Sequence, residues 1–129
     1  MNIQKPFTIL LVDDDPDIGT MLKMMLEFKG YAITLLNRAG NMQQMLHNNS
    51  FDLLILDMLI AGIKGTDVCS SIKSNSLYEH LPVLMISAMP DARQTCLDAG
   101  ANEFISKPFE MKEILFKIKM LITVEHCKE

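Results

Sequence analysis

The stretch from Phe51 to Gly65, reading FDLLILDMLIAGIKG, constrains this chain more than any other. Leu53, Leu54, Ile55 and Leu56 run straight into Asp57, and further apolar residues follow it. A continuous apolar run bounded by polar turn residues fits a strand buried on both faces of a parallel sheet. A carboxylate ending such a strand lies at the carboxyl edge, where α/β sheets gather their ligands. Left unpaired there, the charge costs on the order of several kcal/mol. Something elsewhere in the chain must compensate Asp57.

Taken in order, the chain alternates strand and helix. Thr8 to Val12 is a buried-strand candidate that runs into Asp13, Asp14 and Asp15. Pro16 suits the first turn of a helix that Asp15 or Asp14 can cap. Ile18, Met21, Leu22, Met25 and Leu26 keep helical spacing, and Gly30 ends the helix. A strand over 32–36, a loop over 37–40 and a weak helix over 41–49, with Met42, Met45 and Leu46 inward, lead to the central strand. After Gly62 and Gly65, which keep the loop flexible, comes a helix near 66–74 carrying Val68, Cys69 and Ile72. Residues 82–86 form a fourth strand, stopped at Ser87. A helix near 91–99 has only Ala92, Cys96 and Ala99 as a small apolar face, which predicts weak anchorage and mobility. A short strand over 103–106, the pair Lys107-Pro108 and a final helix near 110–125 complete the chain. That helix is expected to bury Ile114, Leu115, Ile118, Leu121 and Ile122. The alternation predicts an α/β fold, a doubly wound five-stranded parallel sheet with helices on both faces.

The totals exclude several classes. At 129 residues the chain is expected to be one domain, 1–129. A net charge of −4 argues against direct nucleic-acid binding. Cys69, Cys96 and Cys127 form no CxxC and are expected to be free thiols in a reducing compartment. The histidines have no zinc spacing, no apolar run approaches membrane-spanning length, and the N-terminus lacks a signal sequence's apolar core. The expected location is cytoplasmic. The eleven methionines read as adaptable filler.

Strand ends supply an acidic cluster, Asp57, Ser87 and Lys107 in turn. Singly each is weak, and the acidic run, the serine and the lysine have ordinary explanations: a helix cap, a turn hydroxyl, a solvated side chain. Together they fall where the strand ends of a doubly wound sheet converge on one crevice. Two carboxylates ~4 Å apart repel by ~4 kcal/mol at an effective dielectric of ~20, and a lone lysine does not cancel three. A few carboxylates and carbonyls in a partly hydrated site suit Mg²⁺. A carboxylate, a metal, an ammonium and a hydroxyl are also what an aspartyl-phosphate requires.

The pieces ILLVDDDPDI, DLLILDMLIAGIKGTDVC, LPVLMISA and AGANEFISKPF resemble, in order and spacing, the receiver domains of two-component response regulators. The resemblance covers essentially the whole chain and implies the flavodoxin-like, CheY-like strand order 2-1-3-4-5. It implies that Asp13 and Asp14 bind Mg²⁺ together with Asp57 and the Leu59 carbonyl, Asp14 directly. Asp57 takes the place of the phosphoacceptor, Ser87 of the switch hydroxyl and Lys107 of the phosphate-binding lysine. Pro108 takes that of a cis-proline, and Phe104 that of an aromatic that turns inward on activation. Ala61 departs from the family's usual proline. Leu59 and Met89 occupy positions that tune phosphate lifetime in the family, and neither side chain can hydrogen-bond an attacking water, so slow self-dephosphorylation is expected.

The resemblance therefore implies a phosphorylation-controlled switch rather than an enzyme. Its donor would be a sensor histidine kinase or a histidine phosphotransfer protein. Its output would pass through the surface of the fourth helix, fifth strand and fifth helix, where a homodimer can also form. A dehalogenase-type phosphotransferase would need a second aspartate where Leu59 stands. A flavin-binding module would not place three aspartates in its phosphate loop. A receiver that docks without taking phosphate would have no need of the full acid, hydroxyl and lysine set. Whether the chain acts alone or belongs to a longer regulator is open at this point.

Overall fold

The computed structural model describes residues 6–60 and 63–127, the side chains of 123–127 excepted. Five strands form one parallel sheet: β1 (Thr8–Val12), β2 (Ala32–Leu36), β3 (Leu53–Asp57), β6 (Val83–Ser87) and β7 (Glu103–Ser106). They lie in the order β2-β1-β3-β6-β7, which is 2-1-3-4-5 counted along the sheet's own strands. Between β3 and the next helix, β4 (Leu59–Ile60) and β5 (Ile63–Lys64) make a small antiparallel ladder that the sequence did not announce. Ala61 and Gly62 lie outside the described residues.

Every residue of β3 is buried, as a central strand covered on both faces requires. Alternation along the strands then sorts side chains between two layers. Ile9, Leu11, Leu53, Ile55, Leu84, Ile86 and Ile105 pack under α1 (Pro16–Phe28) and α5 (Met111–Cys127). Leu10, Val12, Leu54, Leu56, Val83, Met85 and Phe104 pack under α2 (Met42–Asn48), α3 (Gly65–Lys73) and α4 (Arg93–Asp98).

Helix starts and stops follow local chemistry. Asp15, not Asp14, caps α1, accepting from the amides of Asp17 at 3.0 Å and Ile18 at 3.3 Å, with Pro16 in the first turn. Gly30, at φ +101°, supplies the left-handed turn after it. Leu22 and Leu26 face inward as expected, but Met21 and Met25 are exposed. The buried line of α1 runs through Gly19, Leu22 and Leu26. At about 100° per residue, Met21 lies well off that line and Met25 at its edge.

Other boundaries shift slightly. A 3₁₀ turn over Ala39–Asn41 replaces the end of the expected loop, and in α2 Met42 and Leu46 are buried while Met45 is half-buried. Helix α4 is shorter than expected, with Cys96 as its one buried residue and Ala92 buried just before it. In α5, Ile114, Ile118 and Ile122 face the sheet, while Leu115 and Leu121 flank them. Cys69 and Cys96 are free and buried, and burial pushes the Cys69 thiol up to about 11. The side chain of Cys127 lies outside the described residues. Among the described residues, no helix is long and apolar enough to cross a membrane.

Candidate functional site

The carboxyl ends of the strands are stitched together by backbone hydrogen bonds that fix where each side chain begins. The Asp13 amide donates to the Leu36 carbonyl at 3.1 Å, and the Met58 amide to Ile86 at 2.8 Å. The Lys107 amide donates to the Ser87 carbonyl at 2.8 Å. Asp57 stands beside Ile86 in register, and Ser87 beside Ser106. Asp13, Asp57, Ser87 and Lys107 therefore start from one edge of one sheet.

Their side chains meet there. Lys107 Nζ lies 2.7 Å from Asp57 Oδ2 and 3.4 Å from Asp13 Oδ2. The remaining carboxylate oxygens accept local amides: Asp57 Oδ1 from Leu59 at 3.0 Å, and Asp13 Oδ1 from Asp15 at 2.9 Å. Asp14 joins the group, with one oxygen of each of Asp13, Asp14 and Asp57 inside a 4.8 Å span. Asp13 and Asp57 are buried, and Asp14 is more open to solvent. Asp15 faces its helix as a cap and is not part of this trio.

Burial pushes the Asp13 carboxyl up, the Asp15 amide pulls it down and neighbouring Asp57 pushes it up again; the net direction is upward. Burial by itself would lower the Lys107 pKa, but the hydrogen bond and charge of Asp57, with Asp13 behind it, raise it. Lys107 is thus held protonated between two buried carboxylates and balances only one of them. The surplus negative charge and the all-oxygen donor set favour a hard cation.

Ser87 is buried, and its Oγ accepts the Met89 amide at 3.0 Å. The Lys107–Pro108 peptide is cis. Phe104 already lies inside, buried on the α4 side of the sheet. Leu59 and Met89 are exposed apolar residues two positions beyond Asp57 and Ser87.

Gly65 needs a different explanation from loop flexibility. It is buried at the start of α3, and its amide donates to the Met58 carbonyl at 2.6 Å. A Cβ there would collide with the Asp57 carbonyl oxygen and come 2.8 Å from Met58 Cα. The residue is small so that α3 can abut the backbone that carries Asp57. A glycine shortly after the acid and opening a helix was the available signal. Glu103 was passed over entirely, being an ordinary strand residue by sequence. A cavity of about 430 Å³ does open elsewhere, before β3 and β6 at the opposite edge, lined among others by His47, Asp52, Tyr78 and His80. It holds none of the site residues expected from the sequence.

Comparison with known proteins agrees with this geometry. The response regulator receiver domain family matches residues 9–119. The response regulator MprA of Mycobacterium sp. (strain KMS) is 32% identical over 119 residues, which are 91% of this chain and 51% of that protein. The chain thus spans about half the length of the curated relatives it matches. A response regulator from Chloroflexus aurantiacus J-10-fl, of known crystal structure, superposes with a TM-score of 0.88 at 35% identity, covering 92% of this chain and 99% of that one. The response regulator TrrA from Thermotoga maritima, crystallised in complex with Mg²⁺-BeF, superposes with a TM-score of 0.81 at 29% identity, covering 89% and 98%. Sheet order, the acid and lysine edge and these matches lead to one conclusion: the chain belongs to the receiver domain family of two-component response regulators.

Proposed function

We propose that residues 1–129 act as one receiver domain in which Asp57 accepts a phosphoryl group and releases it again. The observation that carries this reading is a buried carboxylate held 2.7 Å from a lysine amine, with two more carboxylates inside 4.8 Å. An Asp57 oxygen attacks phosphorus, the bond from phosphorus to the donor's leaving group breaks, and an acyl phosphate results. Lys107 exchanges its contact with Asp57 Oδ2 for one with a phosphoryl oxygen, and the Ser87 hydroxyl donates to another.

The acidic donor set fits Mg²⁺, which Asp13, Asp14, Asp57 and the Leu59 carbonyl would hold. Bound there, it would neutralise charge on the transferring oxygens. The T. maritima relative's complex with Mg²⁺-BeF supports this assignment by likeness.

The donor is a sensor histidine kinase or a histidine phosphotransfer protein, and the domain works in the cytoplasm as a switch rather than as an enzyme with a separate substrate. Its output leaves through the surface of α4, β7 and α5, towards a partner, an attached domain or a second copy. The domain does not itself bind nucleic acid. Phe104 starts from an inward position, so the change on phosphorylation falls mainly on Ser87 and the loop into α4. Leu59 and Met89 give an attacking water no side-chain hydrogen bond, which predicts slow self-dephosphorylation. Decay should quicken in a Leu59→Asn, Met89→Glu variant.

Incubation with acetyl phosphate tests the assignment. Labelling should require Mg²⁺ and vanish in Asp57→Asn. Labelling that persists in that variant, or that ignores Mg²⁺, would contradict it.

A further inference from the structure

Helix α4 is thinly attached. It has six residues, a single buried side chain of its own (Cys96) and no side-chain cap at Ala92. Its first residue, Arg93, nevertheless makes a specific polar contact: Nη1 lies 3.0 Å from Glu103 Oε1. The same oxygen accepts the Phe104 amide at 3.0 Å and lies 3.5 Å from Lys117 Nζ of α5. One carboxylate oxygen thus joins α4, β7 and α5, anchored on the backbone amide of Phe104.

Burial would push the Glu103 carboxyl up, but the Phe104 amide, Lys117 and Arg93 outweigh it and hold the group below its usual range. Its charge is therefore secure at neutral pH. The side chain is mostly shielded, at 15% exposed, while Arg93 remains 57% exposed. The arm to α4 is the one open to competition by solvent.

We propose that Glu103 is a positioning residue for the switch, clasping α4 to β7 and α5 in the arrangement of the unphosphorylated protein. This rests on the phosphoacceptor reading of Asp57. The loop from Ser87 to Ala92 joins the phosphate-sensing hydroxyl directly to α4, so any move of Ser87 towards a phosphoryl group pulls on that helix. The clasp resists the pull. Removing it lowers the cost of the phosphorylated arrangement and leaves the carboxylates that hold Mg²⁺ untouched.

The test uses Glu103→Gln and, independently, Arg93→Ala, with amide hydrogen exchange and titration by Mg²⁺ and beryllofluoride as the probe. In both variants α4 amides should exchange roughly two- to fivefold faster while those of α1 and β3 hold steady, the range expected for a partly exposed ion pair. Apparent beryllofluoride affinity should rise by a similar factor, with affinity for Mg²⁺ alone unchanged. Arg93→Lys should restore much of the wild-type behaviour. Unchanged α4 exchange, equal acceleration everywhere, or a loosened α4 with no gain in beryllofluoride affinity would each overturn the proposal. Wild-type protein that fails to bind beryllofluoride would instead overturn the Asp57 reading on which it rests.

Discussion

The two faces of the sheet are packed with different materials. Among the described residues, those buried under α1 and α5 are all leucine and isoleucine, including Leu22, Leu26, Ile114, Ile118 and Ile122. Under α2, α3 and α4 the core mixes in Met42, Cys69, Met85, Ala92, Cys96 and Ala101, and Phe104 lies there too. Branched aliphatic side chains interlock and resist displacement, whereas small or flexible ones cover less area and tolerate repacking. Charged chemistry sits where the faces meet, at the strand ends. The face with the softer filling is the one whose last helix adjoins Ser87. That division suits the switch proposed above, which would keep its fold while one surface moves.

The largest effect that sharpens this contrast comes from truncating the aliphatic face. Ile118→Ala, at a fully buried position, should cost about 2–5 kcal/mol in urea unfolding. Cys96→Ala on the other face removes one sulfur and should cost only about 1 kcal/mol. Equal losses would erase the distinction. Next in size, saturating Mg²⁺ should stabilise the wild-type protein, by about 2.7 kcal/mol at a hundredfold excess over its Kd, and the shift should vanish in Asp13→Asn. Its survival there would remove Asp13 from the metal site. Gly65→Ala tests the seam itself, since a Cβ must displace the backbone that carries Asp57. Its expected cost is about 1–3 kcal/mol, with loss of phosphoryl acceptance beyond what the lost stability explains.

The smallest expected effect is one of pH. The folded Glu103 carboxyl titrates below the usual glutamate range, so its contribution is complete above that range and fades as pH falls through the lower, folded pKa. Melting temperature measured from pH 6 downward should show this loss in wild type and lack it in Glu103→Gln. A slope identical in both proteins would show that the clasp contributes nothing to stability.

Much of this was legible in the sequence because two signals are local. Apolar runs such as Leu53 to Leu56 announce buried strands directly, and strand order followed from the family that the motifs resemble. The acids, serine and lysine were legible because each ends a strand, and parallel topology brings strand ends together. What was missed depends on orientation or close approach. Leu22 rather than Met21 faces inward because the buried line of α1 runs through Gly19, Leu22 and Leu26, and a glycine does not register in an apolar pattern. Gly65 read as loop freedom because its true neighbour, the Met58 backbone, is met only after the chain has turned. Glu103 acquires its meaning from cations ten residues before it and fourteen after it, on two separate helices.

The central claim is that one buried carboxylate at the seam of the two faces takes up phosphorus, and locating the label tests it most directly. Protein incubated with acetyl phosphate and Mg²⁺ can be reduced with borohydride, which converts an aspartyl phosphate to homoserine, and then mapped by peptide mass spectrometry. The account predicts homoserine at position 57 and at no other aspartate, with none formed when Mg²⁺ is chelated. Modification at Asp13 or Asp14, or an unmodified Asp57 under conditions that label a competent receiver, would contradict it.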